Sequence, residues 1–198
     1  MNIQERYNLV CNEPSDIHEH LPTLKQYTEE CETVVEMGVR WITSTWAFLA
    51  GQPKKLTSID IQYPKYYNAN LEDVESLAEE AGIEFKFVLG DTLNMTIEEC
   101  DMLFIDTWHV YDQLKAELAL HADKVKKYII MHDTTSFGFR GESINDNITE
   151  SITAKTVGEG QRQGIVPAIN EFLESHKEWK LKSVYENNNG LTIIQRQA

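Results

Sequence analysis

Five short apolar runs in this chain end in groups able to hold a hydroxyl or move a proton: Glu36 with Gly38, Asp60, Gly90 with Asp91, Asp106 with His109, and His132 with Asp133. A carboxylate closing a strand can accept both hydroxyl hydrogens of a ribose, which suits Asp60, 24 residues after Glu36. A histidine with an ordinary pKa near ~6.5 is largely neutral at physiological pH and can take a hydroxyl proton, which suits His109. Asp106, His132 and Asp133 form a mixed oxygen and nitrogen set that could hold Mg²⁺ or another divalent ion and lower a hydroxyl's pKa. Against each stands a plainer use, such as a turn-forming Asp, a tight Gly38 turn, or a histidine bonded beside a sheet.

These residues matter together only if the fold brings strand ends to one place. The runs Thr33 to Met37, Leu56 to Asp60, Glu84 to Leu89, Met102 to Asp106 and Tyr128 to His132 are mostly continuous apolar stretches, the pattern of parallel strands buried on both faces. Amphipathic stretches lie between them. Leu71, Val74, Leu77, Ala78 and Ala81 share one helical face, with Gly82 as the stop. Pro22 opens a helix carrying Leu24, Tyr27, Thr28 and Cys31; Tyr111, Leu114 and Leu118 mark another, and Ile165, Ala168, Ile169, Phe172 and Leu173, with Pro167 in the first turn, a further one. Trp179 to Tyr185 and Leu191 to Arg196 flank Glu186-Asn187-Asn188-Asn189-Gly190, a hairpin signal. The sum is an α/β, doubly wound sheet of Rossmann-like type with an antiparallel pair at its end. Ligands of such sheets sit beyond the carboxyl ends of the strands, where the polar residues cluster. The polar stretch 134–164 leaves from one of those ends and reads as a lid or substrate loop.

Composition narrows the partners. The 198 residues suit one domain, 1–198, with an N-terminal helical segment over 1–31. With 18 Lys+Arg against 32 Asp+Glu, the net charge of −14 repels nucleic acid, and no basic patch compensates. Cys11, Cys31 and Cys100 make neither a disulfide framework nor a thiolate zinc site, so a reducing, cytoplasmic setting is expected. No signal-peptide pattern or membrane-length apolar run is present, and no membrane association is expected. His121 and His176 read as helix-surface residues, and Ser44 or Thr45 as caps of the helix after the first strand. His18 and His20 read as surface or capping residues, or as lining a cofactor entrance.

Taken together, Glu36-Met37-Gly38 with Ser44-Thr45, Ser58-Ile59-Asp60, Leu103 to Tyr111, Ile129 to Thr134, Gly164 to Leu173 and Asn188 to Thr192 resemble the class I S-adenosylmethionine-dependent methyltransferases, in particular the small O-methyltransferase and cephalosporin-hydroxylase-like branch. The resemblance implies a seven-stranded sheet with its last strand antiparallel, S-adenosylmethionine as cofactor, and O-methylation of a hydroxyl on a sugar, glycan or small metabolite; a homodimer is left open. It implies that Glu36, Met37, Gly38, Ser44 and Thr45 hold the methionine end, Asp60 and Ile61 the ribose, and Gly90, Asp91 and Thr92 the adenine. Asp106 and Thr107 would lie beside the reactive methyl. In catechol-type relatives the stretch matching Asp106 to His109 supplies a metal-binding Asp and a Lys base, which puts His109 at the base position with Asp106 and Asp133 shaping the acceptor site. The chain departs from its relatives at Arg40 and Trp41, where further glycines are usual. Two other readings remain: an NAD(P)-binding oxidoreductase, disfavoured by the lack of G-x-G-x-x-G, and a non-catalytic cofactor-binding module.

Overall fold

The computed structural model describes residues 1–64, 70–143 and 163–197. Its strands are β1 (Thr33–Met37), β2 (Lys55–Asp60), β3 (Glu84–Leu89), β4 (Cys100–Ile105), β5 (Val125–His132), β6 (Trp179–Tyr185) and β7 (Leu191–Arg196). They form one sheet in the order β3-β2-β1-β4-β5-β7-β6. The first five strands run parallel, and β7 is antiparallel to both β5 and β6. The expected architecture is therefore present.

Successive side chains of the central strands alternate between two cores, as a strand's period of two requires. Val34, Leu56, Met102, Phe104 and Ile130 face one core with α1 (Ile3–Asn12), α2 (Leu21–Thr28), α3 (Thr43–Ala50) and α4 (Leu71–Glu80). Val35, Met37, Ile59, Leu103, Ile105 and Ile129 face the other, with α5 (Tyr111–His121) and α6 (Val166–Ser175). Burial on both faces explains why these strands read as unbroken apolar runs. Edge strand β3 is half exposed, since only a short 3-10 turn, Thr92–Asn94, lies between it and β4.

Helix α1 lacks a strong apolar stripe, burying only Ile3 and Tyr7, and was not legible from periodicity. A reciprocal capping box starts it: the Asn2 side chain accepts the Glu5 backbone N–H, and the Glu5 carboxylate accepts that of Asn2. Ser44 and Thr45 are not caps. They lie inside α3, whose N-cap position is Ile42, because their hydroxyls are drawn into the core. His121 is fully buried rather than on the helix surface, with Nε2 bonded to the Thr92 carbonyl at 2.8 Å. Of the expected lid, residues 144–162 lie outside the described residues; its ends are joined by an antiparallel bridge between Arg140 and Gln163. Among the described residues no helix is long and apolar enough to cross a membrane.

The sheet order reverses between β1 and β4, so the loops after these strands diverge and open a crevice. At its floor the Asp106 N–H donates to the Met37 carbonyl at 2.8 Å, and a Cβ on Gly38 would lie 2.0 Å from the Asp106 carbonyl oxygen. Glycine is thus required by the approach of two protein loops, not only by a ligand. Gly38→Ala should cost more than ~2 kcal/mol in urea unfolding, combining a clash with backbone at φ +86°. Gly82→Ala, left-handed at φ +72° but with open space around it, should cost only ~1–2 kcal/mol. Equal losses at the two sites would contradict the clash.

Candidate active site

The crevice ends in a compact set of charges. His109 Nε2 lies 3.0 Å from Asp106 Oδ1 and 3.3 Å from Asp133 Oδ2, while Nδ1 lies 3.0 Å from Glu142 Oε2. His132 Nδ1 lies 3.2 Å from the same Asp106 oxygen, and its Nε2 lies 3.2 Å from the Asn188 carbonyl. Every partner of these two rings is an acceptor, so each nitrogen must donate and both rings are imidazolium. Burial alone would lower both pKa values. The Asp106 and Glu142 hydrogen bonds and the Asp133 charge outweigh it for His109, raising it to about 10, and Asp106 raises His132 to about 9. The two imidazolium charges overcome burial at Asp106 and hold it well below the carboxylate range. Asp133 is pushed up to about 6 by burial, only partly offset by His109. Three carboxylates and two imidazolium rings leave one net negative charge at the crevice.

Local structure aims these groups. Asp106 follows β4 directly, and the turn Thr107 to Val110 brings His109 back over it before α5 begins. Asp133 sits at φ +61°, a left-handed conformation that Asp tolerates better than bulkier residues, turning its carboxylate toward Asp106 and His109. His109 also stacks on Phe137, with ring centroids 5.2 Å apart. Among the described residues Asp106, His109 and Asp133 form a set whose ligand atoms lie within 4.8 Å of one another. Asp133 Oδ1 is buried with no hydrogen-bond partner among them, a lone pair that suits a cation. This set contains His109; the expected His132 stands beside it, with Nδ1 3.2 Å from Asp106 Oδ1 and 3.9 Å from Asp133 Oδ2.

The expected cofactor residues divide into two groups. Glu36 is completely buried, and its carboxylate accepts the hydroxyls of Ser44 at 2.5 Å, Thr45 at 2.8 Å and Ser58 at 2.5 Å. Burial raises its pKa to about 7 against the pull of these three donors. Met37 is buried too, so Glu36, Met37, Ser44 and Thr45 shape the crevice loop from beneath. Asp60 lies nearer the opening: Oδ2 accepts the backbone N–H groups of Val39 at 2.8 Å and Arg40 at 3.0 Å, and Oδ1 that of Gln62. Ile61 is exposed beside it. Asp91 caps the 3-10 turn by accepting the Leu93 N–H, and Gly90 donates to the Asp60 carbonyl. Thr92 and Thr107 both donate to Glu117, a fully buried residue of α5.

Comparison with known proteins addresses the fold. No protein-family model and no curated protein sequence matches the chain. Among solved structures, an O-methyltransferase from Bacillus cereus in complex with S-adenosylhomocysteine (SAH) aligns over 98% of this chain and 90% of its own, at 14% identity and TM-score 0.59. An SAH-bound methyltransferase from Podospora anserina covers 99% and 88%, at 15% identity and TM-score 0.57. The N-terminal domain of EvdMO1, crystallised in the presence of SAH and D-fucose, covers 94% and 84%, at 11% identity and TM-score 0.54. The chain has a methyltransferase fold.

The loop after β1 is left-handed at two residues that are not glycine. Arg40 and Ile42 hold left-handed φ of 45° and 64°. These are two positions where a glycine would be free of strain, so the loop keeps a glycine-like path with larger residues. Ile42 is held there by burial, and the Asp60 carboxylate fixes the Arg40 amide.

Sequence reasoning missed the residues that carry the cluster from outside. Glu142, 33 positions from His109, lies in a polar stretch with no periodic signal. The turn between β6 and β7 binds both the N-terminal segment and the chain after β5. Its Asn187 carbonyl meets His20 Nε2 at 2.9 Å, its Asn188 amide donates to the Ser15 carbonyl, and its Asn189 carbonyl accepts the N–H groups of Thr135 and Ser136. His20 is therefore buried and structural rather than a surface cap.

Imidazole ¹H–¹⁵N correlation spectra should show His109 and His132 doubly protonated at pH 7.5, and a neutral tautomer at either ring would contradict the cluster. Because both are raised above the ordinary ~6.5, the stability they confer is complete below that value and fades as pH climbs through about 9 and about 10.

Proposed function

We propose that this protein is an S-adenosylmethionine-dependent O-methyltransferase acting on a hydroxyl of a sugar, glycan or small metabolite. The observation that carries the reading is the Asp106–His109–Asp133 cluster standing at the switch-point crevice of a methyltransferase fold. SAH in the aligned structures supports the cofactor, and D-fucose with the EvdMO1 domain supports a sugar-type acceptor. The acidic balance of the chain agrees with a small, non-nucleic-acid acceptor.

In this reading Asp106 and Asp133 would face the cofactor's sulfonium end, and a bound sulfonium would supply the methyl group and lower the His109 pKa by offsetting the carboxylates around it. His109 acts as base only after its own Nε2 proton has left, to Asp133 at 3.3 Å or to water; the neutral Nε2 then takes the acceptor hydroxyl's proton as the acceptor oxygen takes the methyl. Glu142 on Nδ1 then holds the ring in the orientation that presents Nε2 to the acceptor. Phe137, stacked on the ring, supports that orientation. Asp106, His109 and Asp133 would be the residues to hold a divalent cation, and such an ion would lower the acceptor's pKa. A site containing nitrogen suits Mn²⁺, Fe²⁺ or Zn²⁺ better than Mg²⁺.

His109→Ala should lower methyl transfer ~10²- to 10⁴-fold while SAH affinity, measured by calorimetry, changes less than ~3-fold. Near-normal turnover would remove His109 from the base role. Abolition of wild-type turnover by chelator, restored by Mn²⁺, would instead favour ion activation. Failure of the wild type to bind SAH, with saturable NAD binding, would replace the methyltransferase reading.

A further inference from the structure

The crevice has an excess of carboxylates, yet the proposed cofactor carries one of its own, the α-carboxylate of its amino-acid tail. The imidazolium charges of His109 and His132 are engaged by Asp106, Asp133 and Glu142. A ligand carboxylate entering here needs another cation.

Arg40 stands in the loop after β1, on the switch-point side of the sheet. Its backbone is fixed, since the N–H donates to Asp60 Oδ2 at 3.0 Å, and its guanidinium lies 4.1 Å over the Trp41 ring, which leaves the N–H edges of the guanidinium open to an anion. Arg40 Nη1 pairs with Asp16 Oδ2 at 2.8 Å, and the two side chains are 59% and 36% exposed. An ion pair this open is weak and exchanges readily for another carboxylate. Asp16 belongs to the N-terminal segment that the Asn188 and Asn189 amides tie to the β6–β7 turn, and its charge is felt at Asp133. The pair therefore lies at the rim of the same crevice. The planar, always-charged guanidinium matches a carboxylate in a way that a glycine at this position could not.

Resting on the cofactor assignment above, we propose that Arg40 receives the α-carboxylate of the cofactor's amino-acid tail, and that Asp16 occupies that position until the cofactor displaces it.

Calorimetry with SAH and with decarboxylated SAH, which keeps the amine and loses only the carboxylate, tests this. Arg40→Gly is the main variant, because glycine accepts the left-handed backbone there and folding is not at risk. The wild type should prefer SAH ~10- to 100-fold, the range of a charge-assisted contact. Arg40→Gly should lose that preference while binding decarboxylated SAH within ~3-fold of wild type. Asp16→Asn, which removes the competing anion, should tighten SAH binding and leave the decarboxylated compound unchanged. An undiminished preference in Arg40→Gly, or equal weakening of both compounds, would overturn the Arg40 assignment while leaving the cofactor reading standing. Absence of wild-type binding to either compound would sink the cofactor reading and this assignment with it.

Discussion

Two imidazolium rings held among three carboxylates at the ends of β4 and β5 set the terms for the rest of the structure. Burying charge is tolerated only when each charge finds a partner, and removing one partner from such a set is typically worth 3–5 kcal/mol. The surrounding segments satisfy this demand. Glu142 supplies Nδ1 of His109 with its anion, and its N–H donates to the His109 carbonyl at 3.0 Å, so the loop carrying it is tied to the turn it serves. The Asn188 carbonyl completes His132, and the same turn binds the N-terminal segment and the chain after Asp133. Four stretches far apart in sequence are thus drawn to one point by the need to compensate buried charge.

The loop after β1 answers a second constraint, the close approach of β1 to β4. Gly38 permits it, Glu36 anchors the start of α3 through the Ser44 and Thr45 hydroxyls, and Asp60 holds the loop from its other side. A buried glutamate with three hydroxyl donors is a fully satisfied polar network, which fixes one geometry where an apolar contact would allow several. Glu117 forms a similar network under the β3 and β4 ends, with the Thr92 and Thr107 hydroxyls and the Gln113 amide as donors. Both strand-end carboxyl loops rest on such a network.

This division explains what could be read from sequence. The strands and helices α2, α4, α5 and α6 announce themselves because burial writes apolar periodicity directly into them. Asp106, His109 and Asp133 were legible because polar residues ending apolar runs point to a shared sheet edge. Glu142 was not, since a single residue in a polar stretch carries no sign of where tertiary structure takes it. Glu36, Ser44 and Thr45 were legible as a motif but not in direction: sequence shows that a carboxylate and hydroxyls occur together, and only packing shows that they face each other inward. His121 failed for a similar reason, as a polar residue at the end of α5 looks like surface until its carbonyl partner, Thr92, is in place.

The charge state of the crevice bears on how such a site would work. A net negative pocket favours a sulfonium over its neutral thioether product, so on the proposed reading it draws the charged cofactor in and lets the spent one leave. The same field opposes formation of an alkoxide on the acceptor. Positive charge must therefore stand where the hydroxyl loses its proton, and the imidazolium rings are the chain's own supply of it. His132 is buried and locked between Asp106 and the Asn188 carbonyl, whereas His109 is more open and held by carboxylates, so on the proposed reading His109 is the ring whose protonation would change. On that reading the two rings, both of raised basicity, differ in what holds their second nitrogen: the Asn188 backbone carbonyl for His132 and the Glu142 carboxylate for His109.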